Sequence, residues 1–497
     1  MPEQKQETVV VEKEKTAPQA DESKTVFAVK KIEFDTTEIL SAEELANVAR
    51  KYEGRELGLQ DLNVMLEEIN ELYYSKKVIT AKAILPPQKI TDGVVRVKLI
   101  EGHYGDFKIT GNKYTHAEYI LNRINVKKMQ LVRLDELEKN LTYFNRTNDI
   151  SLKAELVPGK EVGTTDCILH VQEPSLWETT LYADNAGSKD SGLYRIGALV
   201  TVNSLNGGRE SLVINPTWTK GTLAGSIYYS QPIDNYGTKV GFSYSKNALD
   251  IIDGFLESMD VEGNSEDLGL NFSRPLKVTS DIKTEAFADV HHKLSETDFF
   301  GENLLHTVLN TYTAGYSVQQ NLKDGLWYAN LSGTHIHGSQ KDNYSNESFS
   351  RGNMTLIRQQ AFSSKQIFTL HTSAQYSNSK ELPSAEQFSL GGISTVKGFK
   401  ESAISGEKGY YFGVEYSIPV NDTINSKVFI GLDHGAVKQA FRNGSYQRDY
   451  LTSASIGYSQ NVGKNAFAKA VLGVPLANSD SVSPDKARAH FYLQRKL

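Results

Sequence analysis

The residues able to hold a metal come in two pairs. His291 and His292 are adjacent, while His335 and His337 are separated by one residue. Neighbours in an extended chain point to opposite faces, so His291 and His292 cannot share an ion, whereas the alternating pair could chelate. A stable site needs a third or fourth ligand, and none follows His337 at useful spacing, so no metal is expected. Cys167 is the single cysteine, which excludes a disulfide framework and a multi-cysteine zinc site. It falls in a predicted strand and should be buried. The run Gly391-Gly392-Ile393-Ser394-Thr395-Val396-Lys397-Gly398-Phe399 is glycine-rich, yet it lacks the Gly-x-x-x-x-Gly-Lys-(Ser/Thr) order of a phosphate loop. No Gly-x-Ser-x-Gly elbow occurs either. No catalytic residue, metal or cofactor is expected, and the chain does not read as an enzyme.

Two charges remain. Lys397 sits in the glycine-rich run, and Asp433 closes an alternating segment, Phe429-Ile430-Gly431-Leu432-Asp433. Val428, Ile430 and Leu432 share one face of a strand, so Phe429, Gly431 and Asp433 share the other. If the apolar face meets lipid, Asp433 points into a lumen, where a carboxylate is tolerated when wet. A loop carrying one cation into that lumen would be its partner, and glycine at 431 would leave room for close approach. The blander readings are a glycine-rich surface loop and an aspartate that merely lines a polar channel.

Such a pairing needs a barrel to position it. Among 497 residues, hydrophobic types make up only 39%, yet Tyr (25) and Phe (20) far outnumber Trp (3) and Met (5). This is too aromatic for a disordered chain, and no run of 18 apolar residues exists to form a membrane helix. A net charge of −6 with no basic block speaks against a nucleic-acid partner. Composition changes near residue 175: residues 1–175 hold 11 aromatics and 8 glycines, the rest 37 and 30. Beyond that step the segments alternate with period two, as in Val240, Phe242 and Tyr244, or Tyr410, Phe412, Val414, Tyr416 and Ile418. About sixteen strands of about twenty residues, turns included, fit residues 175–497, the spacing of an outer-membrane β-barrel. A soluble sandwich or propeller is the competing fold.

Before the step, a β-α-α-β-β pattern occurs twice, over 26–102 and 103–174. In the first copy a strand spans Phe27–Phe34, Ser41 and Glu44 form a capping box, and Leu59, Leu62, Leu66, Ile69 and Tyr73 recur at helical spacing. Strands follow at Val78–Leu85 and Val94–Ile100. Residues 1–25 read as a polar tail or mobile helix with no leader pattern; a signal peptide is taken to have been removed.

Two such units before a sixteen-strand transmembrane β-barrel resemble the outer-membrane transporters of two-partner secretion, the hemolysin-activator and filamentous-haemagglutinin-transporter (TpsB) type, whose small units are called POTRA domains. The likeness rests on three stretches. Leu85-Pro86-Pro87-Gln88 through Glu101-Gly102 is similar to the end of the first POTRA domain and leads into Phe107-Lys108-Ile109-Thr110-Gly111-Asn112, the opening of the second. Val396-Lys397-Gly398-Phe399 is similar to a Val-Arg-Gly-(Tyr/Phe) tetrad on a loop folded into the barrel, with lysine in place of arginine; the loop would span about 377–408, between the eleventh and twelfth strands. Phe429, Gly431 and Asp433 match the barrel-wall motif, and the resemblance implies that Lys397, carried inward on that loop, pairs with Asp433. The resemblance implies a monomer in the outer-membrane bilayer of a diderm bacterium, with periplasmic POTRA domains that recognise an unfolded, β-helical secreted protein and pass it through the barrel. It also implies that an N-terminal helix can plug the pore, for which Val9-Val10-Val11 is the candidate. The chain ends on Leu497, where such barrels usually end on an aromatic. The alternative from the same resemblance is an insertase that assembles other outer-membrane barrels.

Overall fold

A computed structural model of the chain describes residues 9–11, 26–341, 343–379, 381–441 and 443–497. The chain divides into two compact units, one ending at Glu173 and the other running from Pro174 to Leu497.

The N-terminal unit holds two separate apolar cores. In the first, helix Ala42–Ala49 begins with the expected box, the Ser41 hydroxyl accepting from the Glu44 N–H and Glu44 accepting in return. Helix Leu59–Ser75 buries Leu62, Met65, Leu66, Ile69 and Tyr73, one stripe at helical period. They pack on Val95, Val97 and Leu99 of strand Val94–Ile100. Two expected strands differ. Phe27–Phe34 breaks into Phe27–Val29, which pairs with Arg55–Leu57, and Lys31–Phe34, which runs parallel to Val94–Val97. The break lies where Gly93 crosses: its carbonyl accepts from the Lys30 and Lys31 N–H groups. A Cβ on Gly93 would lie 2.8 Å from the Ala28 carbonyl, so only glycine fits there. Val78–Leu85 shortens to Lys82–Ile84, because the Val78 N–H returns to the Tyr73 carbonyl and finishes the helix.

The second core lies under a sheet ordered Val9–Val11, Ser151–Pro158, Thr164–Gln172, His103–Thr110. Helices Ala117–Ile124 and Leu134–Thr147 contribute Ile120, Ile124, Leu137, Leu141 and Phe144 to it. Cys167 is fully buried here, and burial pushes its thiol up to about 12. At pH 8 the thiolate fraction is then roughly one in ten thousand. The native protein should therefore ignore a maleimide for hours and take up one equivalent after guanidinium unfolding. Rapid native labelling would show that this core opens.

The C-terminal unit is a closed barrel of sixteen antiparallel strands, from Trp177–Asp184 to Arg488–Lys496. Closure comes from first against last, Thr180 facing Lys496 through Asp184 facing Tyr492. Its outer wall is the apolar half of the period-two pattern: Leu268, Leu270, Phe272, Ile430, Leu432 and Ile456 are exposed there. Among the described residues no helix is long and apolar enough to cross a membrane, and the closed ring leaves no free strand edge.

Candidate functional site

Strands Ile367–Ser377 and Lys408–Asn421 are the eleventh and twelfth of the barrel and pair directly, from Ile367 with Ser417 to Gln375 with Gly409. The residues between them leave the wall. Phe388–Leu390 pairs antiparallel with Ile404–Gly406, and the chain turns beyond Leu390 on Gly391 and Gly392, at φ of 116° and 91°. Side chains there would be strained. They would also collide, since a Cβ on Gly391 would lie 2.3 Å from the Lys400 carbonyl. Past this turn Val396 and Phe399 are buried with Leu390, Ile404, Tyr411, Val437 and Leu451. The loop thus packs on the inner face of the strands Lys408–Asn421, Ser426–Ala440 and Tyr446–Val462.

That packing sets Lys397 against the wall. Its Nζ lies 3.0 and 3.1 Å from the two carboxylate oxygens of Asp433. The Tyr411 hydroxyl donates to the same carboxylate at 2.8 Å. The Lys397 N–H and the Ser453 hydroxyl approach it at 3.5 Å. The pair is drier than the partly wet lumen expected for it, with side-chain exposures of 10% for Lys397 and zero for Asp433. The reason is the buried apolar cluster of Val396, Phe399 and Leu451 packed beside the pair. One ammonium group bridges two oxygens here, where a guanidinium would meet them with two parallel donors. Gly398 lets the backbone dock: a Cβ would lie 2.8 Å from Ser453 Cβ and from the Pro475 nitrogen. Gly473 on the wall answers it, since its Cβ would stand 2.3 Å from the Lys397 carbonyl. That carbonyl accepts from His490 Nε2 at 2.8 Å.

The other two wall residues have neighbours on the adjoining strands. Phe429 is buried over Gly457, with Lys469 Nζ 4.5 Å from its ring centre. Space at Gly431 is taken by Ser455 and the Val414 carbonyl of the flanking strands, not by the loop. Alongside Gly473, the wall glycines that admit the loop are Gly435, where a Cβ would meet the Leu390 side chain at 2.7 Å, and Gly409, where it would meet Phe388 at 2.5 Å. Residues 429, 431, 433 and 435 share one inward parity, so alternation alone cannot say which of them lies under the loop.

A second charged contact was missed. Glu386, in the short turn Ser384–Glu386, has a fully buried carboxylate. It takes Lys293 Nζ at 2.7 Å and both Arg351 Nη2 and Nε, at 2.7 and 3.0 Å. Its carbonyl accepts from Gln375. Glu407, at the loop's end, accepts from the Ala440 and Leu382 N–H groups and from Gln387. The loop is therefore held by a cation at its tip and by carboxylates on its limbs. Inward parity of Arg351 was legible, but its partner lies 35 positions away.

The histidines behave as spacing implied. His291 faces inward on Asp267 at 2.6 Å and His292 outward beside Asn310; His335 and His337 bond to Ser350 and Ser348. Among the described residues no cluster could hold a metal ion. At Val9–Val11 the pore-plugging helix is corrected: these residues are a strand parallel to Ala154–Leu156. Three consecutive β-branched residues favour strand, and the edge of Ser151–Pro158 offers free pairing groups. The rest of residues 1–25 lies outside the described residues.

Residues 163–460 match the sequence pattern of the haemolysin secretion/activation protein ShlB/FhaC/HecB family. The chain belongs to this family. Residues 27–102 match the ShlB-type POTRA domain. The heme/hemopexin transporter protein HuxB of Haemophilus influenzae (strain 86-028NP) is 27% identical over 464 residues, 89% of this chain and 79% of its own. The structure of CdiB from Escherichia coli aligns with a TM-score of 0.68 at 19% identity, over 97% of this chain and 93% of that one. BamA from Haemophilus ducreyi lacking POTRA domains 1-3 aligns at 0.60 and 13% identity, over 95% and 100%. At these identities the two structures speak for the fold alone. The family consists of two-partner secretion transporters, so this chain is an outer-membrane transporter that exports a secreted partner protein, with POTRA domains on the periplasmic side.

Proposed function

We propose that the POTRA domains at about 26–102 and 103–174 capture an extended, unfolded partner of the β-helical secreted type, that the barrel is its path, and that the loop at about 377–408 gates that path through Val396, Lys397, Gly398 and Phe399 against the wall at Asp433. Phe429 and Gly431 shape the wall beside it. The carrying observation is a loop that joins two paired strands but folds inside the barrel: its ion pairs can part without breaking a strand pairing of the wall. Capture by strand addition is supported by the chain itself, since the edge of Ser151–Pro158 already accepts the extended Val9–Val11. The partner's folding outside the cell supplies the free energy, and the transporter works as a monomer in the bilayer.

Photo-crosslinkers at Lys153 and Glu155, on that edge, test the capture step in the full chain. Crosslinks to the secreted partner during export are the expected result. Crosslinks to nascent barrel proteins would instead favour the insertase reading, which the shared fold with BamA leaves open. No crosslink at either position would remove this edge from the mechanism.

A further inference from the structure

Three cations lie side by side on the outer wall of the barrel. Lys408 faces Lys438 across one strand pair, and Lys438 faces Arg448 across the next. All three share the parity of the exposed Tyr410, Phe412, Ile430, Leu432, Tyr450 and Ile456, so they point away from the lumen. Lys408 follows the inserted loop, and Lys438 and Arg448 flank the next hairpin at the same end. The chain enters the first strand and leaves the last at the opposite end, the one joined to the POTRA domains. The row therefore stands at the extracellular rim, at the depth of the outer-leaflet headgroups.

Like charges opposite one another repel, and the wall does not neutralise these. Among the described residues none of the three forms an ion pair. Asp449, next to Arg448, turns inward and is held by Gln447 and Ser479. Aromatic faces hold the cations in place instead: Lys408 Nζ stands 4.3 Å from the Tyr376 ring centre, and Lys438 Nζ 4.0 Å from that of Tyr446. Arg448 lies 5.2 Å from Tyr446 as well. One row deeper, Ala374 and Ala436 flank Tyr410 in register, with Met354 and Tyr450 beyond them. The small alanines leave a groove of about 800 Å³ running under the cations, its walls including Leu331 and Met354.

We propose that this surface binds a phosphorylated, acylated glycolipid of the outer leaflet, with its phosphate on Lys408, Lys438 and Arg448 and an acyl chain in the groove below. The cation row supplies the counter-charge a phosphate needs, with Arg448 able to donate two parallel hydrogen bonds. The groove selects for an attached chain, which a free phosphate lacks. The assignment rests on outer-membrane location and not on how the partner is captured.

The test uses the purified full chain, stripped of lipid in detergent, with adducts counted by native mass spectrometry. Diphosphorylated lipid A is expected to bind, and dephosphorylated lipid A about tenfold more weakly. Two variants separate the parts, K438A/R448A for the phosphate and A436W for the groove. Each should lose about tenfold in lipid A binding while still migrating as a folded barrel on unboiled gels. If one variant fails to fold, the other with K408Q completes the comparison. Unchanged binding in the folded variants would overturn the site. Equal binding of phosphatidylglycerol would overturn the glycolipid assignment, and full competition by inorganic phosphate would overturn the role of the groove.

Discussion

Asp433→Ala should abolish most export and should be more damaging than Lys397→Ala. Removing the carboxylate leaves the Lys397 ammonium in a site that is nearly dry and takes the acceptor from Tyr411. An uncompensated buried charge costs about 3–5 kcal/mol, enough to shift a docked loop toward an undocked one by about 100-fold or more. Removing Lys397 instead leaves Asp433 with the Tyr411 and Ser453 hydroxyls, and space for water where the side chain stood. The double variant should be no worse than Asp433→Ala, since it removes the stranded charge, and Lys397→Arg should retain export. Secretion of the partner and single-channel conductance in planar bilayers measure this together. Additive defects would mean that the two residues act separately, and the gate assigned to this pair would fall.

Glu386→Ala should produce the second large effect, at the limb of the loop. It strands Arg351 and leaves Lys293 only the Asp267 carboxylate at 3.9 Å; the two side chains are 21% and 27% exposed. Partial exposure lets water relieve them, so the loss should be smaller than at Asp433, about 1–3 kcal/mol. Conductance should rise with Lys397 and Asp433 still paired, and Glu386→Gln should be milder because its amide oxygen can still accept. The two anchors share no residue. Combining Glu386→Ala with Lys397→Ala should therefore add within about 0.5 kcal/mol in thermal stability, in contrast to the non-additivity expected inside the tip pair. Conductance unchanged by Glu386→Ala would make this contact a passive brace.

Local pattern carried much of this molecule. Alternation separated Ile430 and Leu432, which face lipid, from Asp433, which is buried inside, because successive strand residues must face opposite ways. Helical spacing found the buried stripe of Leu59–Ser75, and Ser41 with Glu44 marked a helix start, since both are properties of neighbours in the chain. Parity told which residues face the lumen but not which of them the loop touches. Gly431 and Gly435 are equivalent by alternation, yet only Gly435 lies under Leu390, because docking depends on how the loop descends. Glu386 meets Arg351 and Lys293 across 35 and 93 positions, and nothing local in any of the three names the others. The run Val9–Val11 was compatible with a helix until a free sheet edge competed for it. The sequence by itself determined the alternating faces of the barrel strands and the charge at the loop tip. Only the tertiary structure decided that the tip pair is dry and that the limb has its own anchor, because burial and pairing across the lumen depend on the closed barrel bringing distant strands within ångströms.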